Sequence, residues 1–279
     1  MNAAGAPQGS LVCVGLGMML GAHLLPRTRS QIEQADVVFV AASDAVVELW
    51  VQEIRPDARS LQPYYAQGKS RHRTYREMVD ALLAEVRKGR RVCAAFYGHP
   101  GVFAQVTHDA IAAARAGGHD ATMEPGVSAA DCLYADIGID PGRTGCQHYE
   151  ASQFLFYRRR IDPSALLVLW QIGHVGDRGC TRYATGAAHR ALLVERLRED
   201  YPADHELIVY EAATLPIAAA RIERVRLDEL PQAELHMHST LVVPACRPLV
   251  HDARVLARLE RIEAAEPGFP RTKLTLVKA

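Results

Sequence analysis

The clearest structural signal in this chain is one continuous segment, Arg91-Val92-Cys93-Ala94-Ala95-Phe96-Tyr97-Gly98-His99-Pro100-Gly101-Val102-Phe103. Residues 91–96 form an apolar run of strand length, and the loop that follows has a path fixed by its glycines and proline. A helix-like segment over residues 103–116 comes directly afterwards. In open α/β sheets, ligands bind at the carboxyl ends of strands, so this unit predicts a ligand-binding loop. A tight loop that binds no ligand is the alternative interpretation.

The alternation of strand and helix continues on both sides of this segment. Helix-like periodicity recurs over residues 75–87 and 187–198, which predicts α/β layers around a largely parallel sheet. In the second half, strand-like runs follow one another closely, which indicates antiparallel pairing in a mixed sheet. The other strand-like runs are residues 11–14, 37–41, 121–123, 166–170, 207–210, 220–225 and 239–243.

A break in the chain at Pro125-Gly126 suggests where the molecule divides. We predict an N-terminal α/β domain over residues 1–124 and a C-terminal α/β domain with a mixed sheet over residues 125–250. A C-terminal helix and tail over residues 251–279 complete the organisation.

Composition narrows the class of protein. The chain has 279 residues, 49% of them hydrophobic, and a formal net charge of zero. Zero net charge argues against a broad electrostatic grip on nucleic acid or an anionic membrane. The sequence contains no run of about 18 apolar residues, so it predicts no membrane span. Its first residues lack the pattern of a signal peptide. The six cysteines are scattered without a Cys-x-x-Cys pair, so we expect free thiols and a cytoplasmic protein.

A second segment carries the chemistry: Tyr64-Tyr65-Ala66-Gln67-Gly68-Lys69-Ser70-Arg71-His72-Arg73-Thr74-Tyr75-Arg76-Glu77-Met78. Its phenols and guanidinium suit the removal of a reluctant proton, since phenolate is a stronger base than imidazole or carboxylate. A nearby guanidinium favours phenolate and stays charged at all working pH values. Arg71 and Tyr75 are four residues apart, so they share one side of a helix that begins near them. We predict that Tyr65 or Tyr75 is a base assisted by Arg71. The alternatives are that Tyr75 is an aromatic residue facing the core and that Arg71 is a charge on the surface.

Other glycine and histidine patterns are less specific. Gly15-Leu16-Gly17 follows the first strand but does not continue into the compact dinucleotide fingerprint, and the second strand ends without an acid, which argues against NAD. Ser128 with Asp131 predicts a capping box at a helix start. His236-Met237-His238 places two imidazoles on one face, but no neighbouring acid or cysteine completes a ligand set, so we expect no metal.

Taken together, four motifs resemble the tetrapyrrole methylase superfamily of class III S-adenosylmethionine enzymes. They are Val14-Gly15-Leu16-Gly17, the Tyr97–Phe103 loop, Pro125-Gly126-Val127-Ser128-Ala129 and Thr240-Leu241-Val242-Val243-Pro244, in the family's order. The resemblance implies two α/β domains with S-adenosylmethionine bound in the cleft between them and S-adenosylhomocysteine as the product.

Within that superfamily the sequence is most similar to borosin α-N-methyltransferases, which methylate backbone amides of a ribosomally made peptide. The carrying residues are the Tyr65–Met78 segment together with Asp136-Ile137-Gly138-Ile139-Asp140-Pro141 and Gly145-Cys146-Gln147-His148-Tyr149-Glu150-Ala151. Met18-Met19 replaces the proline turn of tetrapyrrole enzymes. Since the sequence stops at Ala279, without a long extension carrying a substrate, we expect a split, bacterial form that acts in trans on a separate precursor peptide. Related enzymes are homodimers, so the resemblance implies a dimer.

The resemblance also implies a set of site residues. Tyr65, Arg71 and Tyr75 would be catalytic. The residues lining the S-adenosylmethionine pocket would be Tyr97, His99, Val102, Phe103, Ser128, Ala129, Gln171, Tyr210, Ser239 and Thr240. Two further functions remain open: methylation of a tetrapyrrole or another small molecule, and a module that binds the cofactor without catalysis.

Overall fold

The structure is a computed structural model, and it describes residues 8–265. Its first half is a five-stranded parallel sheet in the order β3-β2-β4-β1-β5. The strands are β1 (Ser10–Gly15), β2 (Val37–Ala41), β3 (Arg59–Ser60), β4 (Arg91–Phe96) and β5 (Asp120–Glu124), and the helices between them are α1 (Pro26–Gln34), α2 (Ala45–Ile54), α3 (Arg71–Val86) and α4 (Gln105–Ala116).

The second half is a mixed five-stranded sheet in the order β6-β7-β10-β8-β9. β6 runs parallel to β7, whereas β10 is antiparallel to both of its neighbours and β8 pairs antiparallel with β9. The predicted α/β class is therefore confirmed. The strands are β6 (Cys146–Glu150), β7 (Leu166–Trp170), β8 (Glu206–Glu211), β9 (Arg221–Arg226) and β10 (Thr240–Val243), with the helices α5 (Ala129–Ile137), α6 (Ala151–Phe156), α7 (Ala187–Leu197) and α8 (Ala253–Ala265).

Period-two burial explains why helices cover both faces of the first sheet. In β2, Phe39 lies in one apolar cluster with α3 and α4, and its neighbours Val38 and Val40 lie in the opposite cluster with α1 and α2. Cys13 and Cys93 lie inside these clusters, and burial raises the pKa of both thiols to about 12. Both cysteines therefore behave as small apolar side chains at neutral pH.

Leu82 of α3 provides a test of this core. Its side chain is fully buried in the cluster between α3 and the sheet. We expect Leu82→Ala to lower the free energy of unfolding by about 2–5 kcal/mol, because it leaves a cavity. Urea denaturation measures the change. Leu49→Ala, on the exposed side of α2, is the matched control and should change stability little; an equal loss in both variants would contradict the assignment.

Three segments differ from the sequence prediction, and the first is the two-residue strand β3, which no strand-like run covered. The helix expected from residue 103 begins at Gln105, because Phe103 adopts a left-handed backbone with φ of 51° that a helix cannot include. β6 was not predicted, since its residues are polar and only half-buried.

The predicted boundary near residue 125 falls between the end of β5 and α5, and α5 packs on the second sheet through Leu133. The predicted C-terminal segment includes α8, and its tail from residue 266 lies outside the described residues.

Candidate active site

The three predicted catalytic residues come together at the start of α3. The rings of Tyr65 and Tyr75 meet edge to face with their centroids 6.4 Å apart. Arg71 is the first residue of α3, one turn before Tyr75, and its side chain is only 15% exposed. Helical periodicity therefore brings the guanidinium and the phenol to one side, as the spacing predicts. Both phenols pack against the core under α3.

The electrostatic environments of the two phenols differ. Burial raises the pKa of Tyr65, and the nearby Tyr75 and Tyr97 raise it further. Burial also raises the pKa of Tyr75, but the Arg71 charge and a hydrogen bond from Tyr65 act in the opposite direction. For Tyr65 the Arg71 charge is the smallest of the contributing causes. Arg71 is the largest influence that opposes burial at Tyr75, whose pKa is still raised overall.

Arg71 is held by a loop from the second half of the chain, and this anchor was not predicted. The Arg71 backbone N–H donates to the Cys180 carbonyl at 2.9 Å, and its guanidinium Nη2 lies 4.0 Å from Asp177 Oδ2. The buried Asp177 carboxylate also accepts backbone N–H bonds from Gly179, Thr181 and Arg182 at 3.1, 2.7 and 2.7 Å. The Asp-x-Gly sequence is a local turn signal, but only the fold shows that this loop meets α3.

The Asp177 carboxylate is charged at neutral pH. Burial would raise its pKa, but the three backbone N–H bonds and the Arg71 charge outweigh that effect, so its pKa is lowered. The loop therefore presents a fixed negative charge to Arg71.

Three loops converge at the carboxyl ends of β1, β4 and β5, where the family motifs lie. Gly17 and Gly98 exchange backbone hydrogen bonds of 3.2 and 2.8 Å. A Cβ on Gly15 would lie 2.5 Å from the Gly98 carbonyl oxygen, and one on Gly126 would lie 2.4 Å from the same atom. Glycine is required here because the backbones leave no space for a side chain.

Gly126→Ala tests this close approach. The new Cβ would contact the Gly98 and Gly15 backbones, neither of which can yield without moving its loop. We expect a loss of about 1–3 kcal/mol in unfolding free energy from overpacking, with weaker binding of S-adenosylmethionine by calorimetry. The control is Gly186→Ala, where a Cβ meets nothing within 4 Å. Normal stability and cofactor affinity in Gly126→Ala would contradict the argument.

The loop after β4 presents aromatic and apolar surface. Tyr97, Val102 and Phe103 are 47, 40 and 46% exposed, and burial of the Tyr97 hydroxyl raises its pKa. His99 Nδ1 accepts the Gly101 backbone N–H at 2.9 Å, so this histidine stabilises the loop itself. The Phe103 ring lies 5.4 Å from that of Trp170, which links this loop to the end of β7.

An aromatic network behind Trp170 was also not predicted. Trp170 Nε1 donates to His148 Nδ1 at 2.9 Å, and His148 Nε2 lies 2.7 Å from the Tyr134 hydroxyl. Burial lowers the pKa of His148, which favours the neutral ring that this pairing needs. Sequence spacing gave no signal for the network, because its members come from α5, β6 and β7.

The remaining predicted cofactor residues lie on the second half. Ser128 caps α5 and forms the predicted capping box with Asp131, and Ala129 begins that helix. Gln171 has a left-handed backbone with φ of 61°, and the next residue, Ile172, donates its N–H to the Ser239 carbonyl at 3.0 Å. Gln171 and Ser239 are thus brought together.

Thr240 and Tyr210 pair across β10 and β8. Tyr210 is 1% exposed and donates its hydroxyl to Asp136 at 2.7 Å, so that hydroxyl is committed to the protein. Ser239 and Thr240 are also buried. These three residues therefore offer little side-chain surface, unlike Tyr97, Val102 and Phe103.

A protein-family model described as Tetrapyrrole (Corrin/Porphyrin) Methylases matches residues 10–231. The chain belongs to the tetrapyrrole methylase family. Uroporphyrin-III-C-methyltransferase from Thermus thermophilus aligns with a TM-score of 0.60 at 21% identity, covering 85% of this chain and 93% of that one. The cobalt precorrin-4 methyltransferase CbiF also gives 0.60, at 18% identity, covering 86% of this chain and 96% of that one. At these identities the likeness establishes the fold, and the predicted fold of tetrapyrrole methylase type is confirmed.

Curated relatives give a finer similarity. A methyltransferase/gymnopeptides precursor from Gymnopus fusipes is 36% identical over 260 residues, 92% of this chain and 62% of that protein. A methyltransferase/type I borosin cyclic peptide precursor from Mycena rosella is 37% identical over 256 residues, 90% of this chain and 64% of that protein. The chain thus spans about three fifths of these relatives, and the predicted similarity to borosin methyltransferases is confirmed. Within residues 8–265, no helix is long and apolar enough to cross a membrane.

Proposed function

We propose that this protein uses S-adenosylmethionine to methylate backbone amide nitrogens of a separate, ribosomally made precursor peptide. The observation that carries the proposal is the meeting of Tyr65, Tyr75 and Arg71 beside the convergent glycine loops. Support comes from relatives whose names combine a methyltransferase with a cyclic peptide precursor. The separate precursor and the split, bacterial form of the enzyme are part of the proposal.

The proposed reaction needs a base because a peptide nitrogen shares its lone pair with the carbonyl. When bound, S-adenosylmethionine supplies an electrophilic methyl group on a sulfonium and leaves as S-adenosylhomocysteine. The Tyr75 phenolate would take the amide proton, which frees the lone pair of the nitrogen to accept that methyl group. Arg71 stabilises that phenolate or the developing amidate oxygen, and such a donor contributes roughly 3–4 kcal/mol.

Tyr75 is the better of the two proposed bases. Burial raises the pKa of both phenols, but Arg71 and Tyr65 offset part of that rise at Tyr75, whereas two neighbouring phenols add to it at Tyr65. Tyr65 then acts as a hydrogen-bond donor that positions Tyr75. The proposed base Tyr75, the cation Arg71 and the hydrogen-bond donor Tyr65 thus come from one short segment of the chain, which helps to hold them in a fixed geometry.

The residues present fit the cofactor. Tyr97, Val102 and Phe103 offer exposed apolar surface for an adenosyl group, and the packed glycines at Gly15, Gly98 and Gly126 let backbone approach a ligand closely. Gln171, with its left-handed backbone, can turn its backbone groups toward the same region. We include His99, Ser128, Ala129, Tyr210, Ser239 and Thr240 as the rest of the proposed pocket.

The test is incubation with S-adenosylmethionine and peptides encoded beside the gene. Stepwise mass gains of one CH2 each, located on backbone nitrogens by fragmentation, are the expected result. Tight cofactor binding with no transfer to any such peptide would overturn the proposal and favour a binding module.

A second candidate function is methylation of a tetrapyrrole or other small molecule, which the family model and the solved structures favour. It predicts turnover in the absence of any peptide. Transfer to a porphyrinoid but to no peptide would replace the peptide proposal and leave a methyltransferase standing.

We also propose a cytoplasmic homodimer. Six free cysteines fit a reducing compartment, and the dimer rests on the resemblance to borosin enzymes. Analytical ultracentrifugation of the full chain tests the dimer.

A further inference from the structure

Three side chains of types that bind metals meet at the end of β8, namely Glu211, His236 and His238. His236 Nδ1 lies 2.9 and 3.1 Å from the two carboxylate oxygens of Glu211. His238 Nε2 lies 3.4 Å from Glu211 Oε2. One ligand atom from each residue lies within 4.8 Å of the other two. The strand-like alternation expected at His236-Met237-His238 is wrong, because the segment turns before β10 and the Ser239 backbone N–H donates to the His236 carbonyl at 3.1 Å. The turn still places both imidazoles beside the Glu211 carboxylate.

The distances suit a tetrahedral ion. Bonds of about 2.0–2.1 Å to nitrogen and oxygen place the ligand atoms of tetrahedral zinc about 3.4 Å apart. Glu211 Oε2 lies 3.1 Å from His236 Nδ1 and 3.4 Å from His238 Nε2, which matches two edges of such a tetrahedron. The imidazole planes are nearly parallel, at 14°, with their centroids 5.8 Å apart. Because the lone pair of a ring nitrogen lies in the ring plane, the two imidazoles would turn about their side-chain bonds to share one ion.

A second layer of contacts orients the ligands. The other Glu211 oxygen, Oε1, accepts from Ser239 Oγ at 2.5 Å and from Arg221 Nη1 at 2.9 Å. The second nitrogen of His236, Nε2, lies 3.6 Å from Glu234 Oε1. Metal-binding histidines and carboxylates characteristically use their other polar atom in this way. A simple ion pair between histidine and glutamate does not need a carboxylate on the far side of the ring.

The charges around the cluster also suit a divalent cation. Glu211, Glu223 and Glu234 supply three negative charges, and Arg221 supplies one positive charge. Its guanidinium pairs with Glu211 and Glu223, and its Nη1 also lies 3.4 Å from His236 Nδ1, so it would have to give way to an ion at that nitrogen. Glu211 is 10% exposed, whereas the side chains of His236 and His238 are 49 and 66% exposed. The ligand set is thus anchored on a buried carboxylate and open to water on the imidazole side, which leaves a position for a solvent ligand.

We propose that Glu211, His236 and His238 bind a divalent transition-metal ion, zinc foremost, with water completing the coordination. Imidazole and carboxylate together suit first-row ions of this kind. The bound ion would fasten the segment that contains Ser239 to the end of β8, which gives it a structural role. The proposal depends only on these residues and stands or falls independently of the peptide substrate.

The test uses tag-free protein stripped with a chelator and titrated with Zn²⁺ alone by calorimetry. We expect one ion per chain at this site and a rise in melting temperature, since the ion binds the folded state. His238→Gln removes an exposed ligand without disturbing the core, and it should weaken binding by at least about tenfold. His251→Gln, an exposed histidine outside the cluster, is the matched control and should bind normally.

Co²⁺ provides an independent readout. Tetrahedral coordination by His and Glu gives a visible ligand-field absorption, which we expect in wild type and in His251→Gln and not in His238→Gln. Equal Zn²⁺ affinity in wild type and His238→Gln, with circular dichroism showing both folded, would overturn the proposal. Wild-type protein that binds no stoichiometric Zn²⁺ would overturn it as well.

Discussion

Tyr75→Phe should slow methyl transfer to a peptide amide by about 10²–10⁴-fold, the range that a positioned acid–base group contributes. Phenylalanine keeps the ring that packs under α3 and removes only the hydroxyl, so the fold and cofactor binding should survive. Arg71→Ala should cause a comparable loss, because it removes the charge that favours the Tyr75 phenolate. Single-turnover rates with saturating S-adenosylmethionine measure both effects.

Tyr65→Phe is the matched control for the choice of base. It removes a hydrogen-bond donor to Tyr75 and leaves the Arg71 charge in place, so its rate loss should be smaller than that of Tyr75→Phe. A pH profile adds a second criterion. Losing the donor removes one cause that lowers the pKa of Tyr75, so the rise in activity with pH that accompanies phenolate formation should move to higher pH in Tyr65→Phe. Full activity in Tyr75→Phe would remove it from the role of base.

Asp177→Ala should lower the free energy of unfolding by about 3–5 kcal/mol, the range for breaking a buried charge pair by removing one partner. The substitution leaves three backbone N–H groups without their acceptor and the Arg71 guanidinium without its anion. Because Arg71 then loses its anchor, catalysis should fall as well. Urea denaturation and methyl-transfer rates measure the two losses separately.

The pH dependence distinguishes the charge of Asp177 from its hydrogen bonds. Its folded pKa is lowered, so its contribution is fully present above the unfolded pKa and is lost as pH falls through the folded value. The stability difference between wild type and Asp177→Asn should therefore shrink in acid. Asp57→Asn, whose carboxylate is 64% exposed beside Arg55, is the control and should change stability little. A constant difference for Asp177→Asn down to strongly acidic pH would contradict the charge argument.

Local periodicity was enough to predict most of the fold. The buried strands of the first sheet and the apolar stripe of α3 follow from repeats of two and 3.6 residues. Both helix-start predictions were close: α3 begins at Arg71, and α5 carries the capping box at Ser128. β6 was missed because its half-buried residues show neither pattern.

Only some residues of the candidate site could be predicted from local sequence. Tyr65, Arg71 and Tyr75 could be grouped from sequence because they lie within eleven consecutive residues, and Arg71 and Tyr75 are one helical turn apart. Asp177 could not, since its partner Arg71 lies more than a hundred residues earlier and the loop that carries it has only local turn residues. Glu211 beside His236 was hidden for the same reason, because β8 and β10 become neighbours only in the folded sheet. Whether Tyr210 could offer its hydroxyl to a ligand depended on Asp136, which the sequence did not connect to it.

The contact between Arg71 and the Asp177 loop also limits how a substrate can enter. Arg71 belongs to a helix of the first half of the chain and Asp177 to a loop of the second half. The contact therefore joins the two halves and also holds the guanidinium that favours the Tyr75 phenolate. A motion that moved the two halves apart at this contact would separate the Arg71 guanidinium from the Asp177 carboxylate before a peptide bound. If a peptide is the substrate, we expect it to enter at another edge of the molecule, with the two halves still in contact here.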